Sequence, residues 1–133
     1  MGFVVVLIAA VAAYAFGAVW YMSMSRAWIA AAGIPVDANG RPQGNGSMSP
    51  MVIGFVAELL VAGMMRHIFV QSDLDTLVEG VMGGLGIGLF LITPWVTMNY
   101  AFAMRPMRLS VIDGVNAVVG CTIMGIVYGI AGV

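Results

Sequence analysis

Gly80–Met104, GVMGGLGIGLFLITPWVTMNYAFAM, decides the fold class, because it contains no charged side chain. A bilayer core of roughly 30 Å is crossed by about 20 apolar helical residues. Working outward, Met1–Ser25, Met51–Val70 and Gly114–Val133 are similarly apolar, with one acid, Glu58, deep inside the second of these runs. The whole chain has only five basic and six acidic residues, nearly all in the breaks between runs. Hydrophobic residues make up 62% of it and the mean hydropathy is +1.04, outside the range of a soluble domain. The pattern predicts an all-α integral membrane four-helix up-down bundle, with helices at about 2–25, 50–70, 73–103 and 110–132. Four spans use up the 133 residues, so 1–133 is read as a single transmembrane domain.

Composition also excludes classes of function. A net charge of −1 without any lysine offers no basic surface for nucleic acid. The single cysteine, Cys121, allows no intramolecular disulfide. The methionines fall in no series with histidine that would suit a soft metal, and His67 beside Arg66 reads as interfacial. No nucleophile–base pair or metal triad stands out, so no catalytic residue, metal or cofactor is expected.

Between the runs, loop one (33–49) carries the turn pairs Asn39-Gly40 and Asn45-Gly46. Ser49-Pro50 reads as a helix start, Ser72 with Asp75 as a capping box, and Ser110 as the cap of the last helix with Asp113 three residues on. Pro94 should bend the third helix, since it lacks an N–H to donate. Gly80, Gly84 and Gly88 recur at four-residue spacing, and Gly125 and Gly129 form a second small-residue pair. Such faces let helix backbones approach closely. Loops one and three hold Arg26, Arg41, Arg105 and Arg108 against Arg66 alone on the other side. The positive-inside bias therefore places those loops in the cytoplasm and both termini on the periplasmic side.

A helix rises about 1.5 Å per residue, which gives each polar side chain a depth. Counted from the loop-one and loop-three side, Glu58 and Trp95 lie roughly 12 Å in, Asn116 roughly 9 Å, Trp20 roughly 8 Å and Asn99 roughly 6 Å. Tyr21, Tyr100, Arg105 and Asp113 follow nearer the surface. One half of the membrane thus holds nearly all the polar groups, and Glu58, Trp95, Asn99, Asn116, Trp20, Tyr100, Arg105 and Asp113 form the candidate binding cluster. Glu58 anchors it: an acid at mid-helix costs about 2.5–3.5 kcal/mol on insertion scales and should face protein or water. It is read either as a proton- or cation-binding group or as a protonated fastener between helices. Asp113 is read as a helix-start carboxylate that also pairs with Arg105 or Arg108.

Gly17-Ala18-Val19-Trp20-Tyr21, followed by Ala27-Trp28 and Gly33, resembles the first-helix block of a widespread bacterial family of small four-helix membrane proteins of unknown function. A second block is similar to that family as well: Thr93-Pro94-Trp95, Asn99-Tyr100, Phe102, Arg105-Pro106, Leu109 and Ile112-Asp113, then Met124-Gly125 and Gly129. The matched blocks lie at both ends of the chain and leave loop one and the second helix, with Glu58, outside them. The resemblance implies a four-helix integral membrane protein with no agreed activity; the expected location is the bacterial inner (cytoplasmic) membrane, crossed several times. The leading functional expectation is a non-enzymatic structural or accessory protein in the lipid bilayer. It would self-associate through the glycine faces, as a homo-oligomer or as a subunit of a membrane complex. The alternative is a small transporter or channel for a proton, cation or small amphipathic molecule, built on Glu58 with Trp95, Asn99 and Asn116.

Overall fold

The computed structural model describes residues 2–43 and 47–133; the Asn45-Gly46 turn lies outside them. The described chain is helical, with α1 at Gly2–Ser23, α2 at Ser25–Ala32 and α3 at Ser49–Gln71. Next come α4 at Leu77–Ile87, a π-helical turn at Gly88–Ile92, α5 at Thr93–Phe102 and α6 at Met107–Ala131. Among the described residues four helical segments are long and apolar enough to cross a membrane: α1, α3, α4 through α5, and α6.

The distribution of side chains fits that environment. Large apolar residues such as Ile53, Leu60 and Phe90 face outward, whereas Ala9, Ala10, Ala13 and Ala62 are buried completely. In water this arrangement would be costly, since contiguous exposed apolar surface is rare on soluble monomers. In lipid the drive is close backbone packing, which small inward residues permit.

α6 is the hub. It packs along α4, the π-helical turn and α5 on one flank and along α1 on the other, while α3 packs chiefly on α1. α3 makes few contacts with α4, so the seam between the second and third spans is loosely closed. The α4–α6 contact is made by glycine. A Cβ at Gly80 would strike the Gly125 carbonyl, and one at Gly84 would strike the Cys121 carbonyl. At Gly88 it would lie 2.6 Å from the Val118 Cα, and at Gly129 2.7 Å from the Leu77 Cα. Both glycine faces expected to join separate copies are therefore occupied within one chain. Self-association through them would require α4 to leave α6.

Several boundaries differ from the sequence reading. The first span is followed by a separate short helix, α2, ended by Gly33 at φ 70, a left-handed conformation that glycine adopts without a Cβ clash. Ser49 is already helical, and Met48 at the cap position makes no side-chain bond. The capping box of α4 is Thr76 with Glu79: the Glu79 N–H donates to Thr76 Oγ1 at 3.3 Å, and the Thr76 N–H donates to the Glu79 carboxylate at 3.1 Å. Ser72 instead closes α3 by donating its N–H to the Ile68 carbonyl. Two Ser/Thr–acid pairs at the same spacing compete here, and the one followed by an unbroken apolar run wins. α6 starts at Met107, after the extended Pro106, so Ser110 lies buried inside its first turns.

The two ends of the bundle are distinct. At one end Arg66 donates from Nη2 to the Val133 carbonyl at 3.1 Å and lies against Gly2. At the other, loop one turns on Asp37, whose carboxylate accepts from the Asn39 and Arg41 N–H groups. Single-cysteine variants at Ala38 and Val133, in a Cys121→Ala background, should label from opposite faces of intact membranes. Labelling of both from one face would contradict the four-span path.

Candidate functional site

The expected polar cluster divides into three groups. Trp95 and Asn99 lie on the outer surface of α5, with Trp95 66% exposed, and do not join the others. The cause is the π-helical turn. Along a continuous α-helix at about 100° per residue, Trp95 and Asn99 would fall on the same face as Gly80, Gly84 and Gly88. The turn inserts one residue and rotates everything after it, closing with the Thr93 N–H on the Gly88 carbonyl five residues back. Pro94 gives the reason, since its ring would crowd the carbonyl four residues before it in a regular α-helix. Thr93 consequently faces Gly114 on α6, and Tyr100 reaches Asp113.

The second group is a carboxylate clamp on the loop-one and loop-three side. Tyr21 from α1 donates its hydroxyl to Asp113 Oδ1 at 2.5 Å, and Tyr100 from α5 donates to Oδ2 at 2.5 Å. One turn of α1 is fixed further by the Trp20 indole N–H, which donates to the Ile112 carbonyl at 2.9 Å. Trp28 of α2 stands edge-on to Tyr21, with ring centroids 6.1 Å apart. Asp113 thus ties three spans together rather than capping its own helix. α6 begins at Met107, so the Asp113 carboxyl is past the unpaired N–H groups of the first turn. Arg105 does not pair with it as expected either: its guanidinium lies against Gly33, at the C-terminal end of α2, where the helix dipole favours a cation. Depth placed Tyr21 near the surface with Tyr100 and Asp113 but did not show that its hydroxyl meets the Asp113 carboxylate.

The third group lies deeper, where α1, α3 and α6 meet. Asn116 sits against Gly17 of α1, and its buried Oδ1 has no hydrogen-bond partner. One helical turn further along α6, Gly120 opens space for Glu58 of α3; a Cβ there would lie 3.9 Å from Glu58 Oε1 and 3.8 Å from the Ala13 Cβ. The other carboxyl oxygen, Glu58 Oε2, is buried with no partner. Two unsatisfied acceptors on successive turns of one interface are unusual, because each such atom forfeits its interactions with water. Beyond them the interface is closed by the Tyr128 hydroxyl, which donates to the Ala62 carbonyl at 2.5 Å, and by Phe69 edge-on to Tyr128. Among the described residues no group of three or more His, Cys, Asp or Glu side chains could hold a metal ion.

The sequence model of a family described as "Protein of unknown function (DUF1761)" matches residues 4–129. The chain belongs to the DUF1761 family. The match runs from α1 into the last turn of α6, so the DUF1761 region includes α3 and Glu58, which the earlier resemblance had left outside its blocks. Neither the curated proteins nor the solved structures give this DUF1761 chain a significant match.

Proposed function

We propose that this protein is a small non-enzymatic membrane carrier in which Glu58 takes up a proton, or a small cation in its place, at the junction of α1, α3 and α6. The observation that carries the reading is Glu58 Oε2, buried without a donor about 14 Å from the start of α3. An acid at that depth is costly, and intramembrane carboxyls commonly mark proton or ion pathways. Asn116 Oδ1 supplies a second neutral acceptor one turn nearer the clamp. Trp95 and Asn99, once assigned to the same site, are left out because they face away from it. The membrane is read as the bacterial cytoplasmic membrane, with the arginine-rich loops inside, on the strength of the charge bias.

The test is Glu58→Gln, which keeps the shape and removes the titrating group. Reconstituted in sealed vesicles under an imposed pH or cation gradient, the parent chain should dissipate the gradient. The variant should have a melting temperature close to the parent's and lose most of that flux. Equal flux from both proteins, or none from the parent, would end the carrier reading.

A second reading, an accessory subunit packing on a further membrane helix or a second copy, draws on Gly63 and Gly86. A Cβ at either would meet nothing within 4 Å, leaving room for another backbone on α3 and α4. A change of oligomer size in Gly63→Leu or Gly86→Leu would support it.

A further inference from the structure

We propose that the outer groove between α5 and α6 binds one acyl chain of an anionic glycerophospholipid, with Arg108 holding its phosphate at the groove mouth. The groove arises where the third span departs from α6. Up to Gly88 the two helices are in glycine-limited contact, but past the π-helical turn they are spaced by Thr93 against Gly114. The resulting cleft of about 340 Å³ is lined by Leu89, Thr93 and Thr97 on one wall and by Val111, Val115 and Val119 on the other. Its threonine hydroxyls are turned to backbone carbonyls. Thr97 Oγ1 donates to the Thr93 carbonyl at 2.7 Å, and Thr93 Oγ1 is directed at the Gly114 carbonyl at 3.5 Å.

The length of the groove selects a lipid tail over a protein helix. From Met107 to Val119 the cleft runs about 18 Å along α6. That is close to one leaflet, about half of the roughly 30 Å hydrocarbon core. A second copy would lay a full span against this face, yet deeper in the membrane the same flank of α6 is already covered by α4. A tail anchored at the loop-three surface ends where the groove ends.

Charge selects the headgroup. Val111, Val115 and Val119 form a stripe at helical spacing, and Arg108, three residues before Val111, continues it to the surface. Side chains on a helix lean toward its N-terminus, here toward the water, so Arg108, an exposed residue just beyond the groove's lining, can bring its guanidinium to headgroup level at the groove mouth. Arginine is suited to phosphate through paired N–H donors.

The experiment uses the full chain in detergent micelles containing equal mole fractions of phosphatidylglycerol and phosphatidylcholine with identical acyl chains, read by native mass spectrometry. One phosphatidylglycerol should be retained per chain, with a preference of about fivefold over phosphatidylcholine, as expected for one arginine at the surface. Arg108→Ala should abolish the preference. Val111→Trp, at a position 59% exposed, should fill the groove and displace lipid of either kind, while Val52→Trp on the outer face of α3 should not. Val115→Phe serves as a second filler, and Arg108→Ala decides alone if neither filler folds. Equal retention of both lipids by the parent chain would overturn the proposal, as would phosphatidylglycerol binding that survives a folded groove-filling variant. A dimer that either filler converts to monomer would assign the groove to a second copy instead.

Discussion

Gly84→Leu should destabilise the protein by about 3 kcal/mol or more, the largest effect expected from any single change outside the polar interior. A Cβ at position 84 would overlap the Cys121 carbonyl and stand 3.0 Å from the Thr122 Cα. Both obstacles are backbone, held by the hydrogen bonds of α6, so neither can rotate aside as a side chain would. Relief requires α4 and α6 to separate, which undoes the adjacent contacts at Gly80, Gly88, Gly125 and Gly129 together. Gly86→Leu is the matched control, because a Cβ two residues away meets nothing within 4 Å. Thermal melting in detergent should separate the two variants widely. Similar melting temperatures would show that the α4–α6 contact does not limit stability.

Asp113→Ala should rank next, at about 2–4 kcal/mol. The carboxyl group accepts from Tyr21 and Tyr100, on two other spans, and removing it leaves both half-buried hydroxyls without their partner. Tyr21→Phe or Tyr100→Phe should each cost less, about 1 kcal/mol, since each removes a donor together with only one bond. A double-mutant cycle between Tyr21 and Tyr100 should report positive coupling, because one shared acceptor fixes both. Arg105→Ala provides the contrast: its guanidinium lies against Gly33, so its loss should leave the Tyr–Asp–Tyr clamp intact. If Arg105→Ala proved as damaging as Asp113→Ala, the clamp would have to depend on the arginine and not on the tyrosines.

The sequence by itself determined the helical class, the four apolar runs and the depth of each polar side chain, because these depend on composition and on the fixed rise of a helix. It also marked the glycine faces, since the need for close approach is written in four-residue spacing. It did not determine what those faces touch. Spacing is silent on whether the partner backbone belongs to the same chain, and the tertiary structure places it on α6.

The tertiary structure alone decided which polar residues share a site. Depth is one coordinate, and the direction a side chain faces is another. One residue inserted at Gly88–Ile92 turned Trp95 and Asn99 outward and Tyr100 inward, a rotation that no composition or spacing rule contains. Asp113 likewise exchanged an expected helix-start role for two tyrosines, because three residues of earlier helix moved it past the free N–H groups and the packing of α1 and α5 on α6 brought the hydroxyls to it. Glu58 was conspicuous in the sequence as the lone acid of a span. That one of its oxygens is buried without a donor could be known only once α1, α3 and α6 were in place around it.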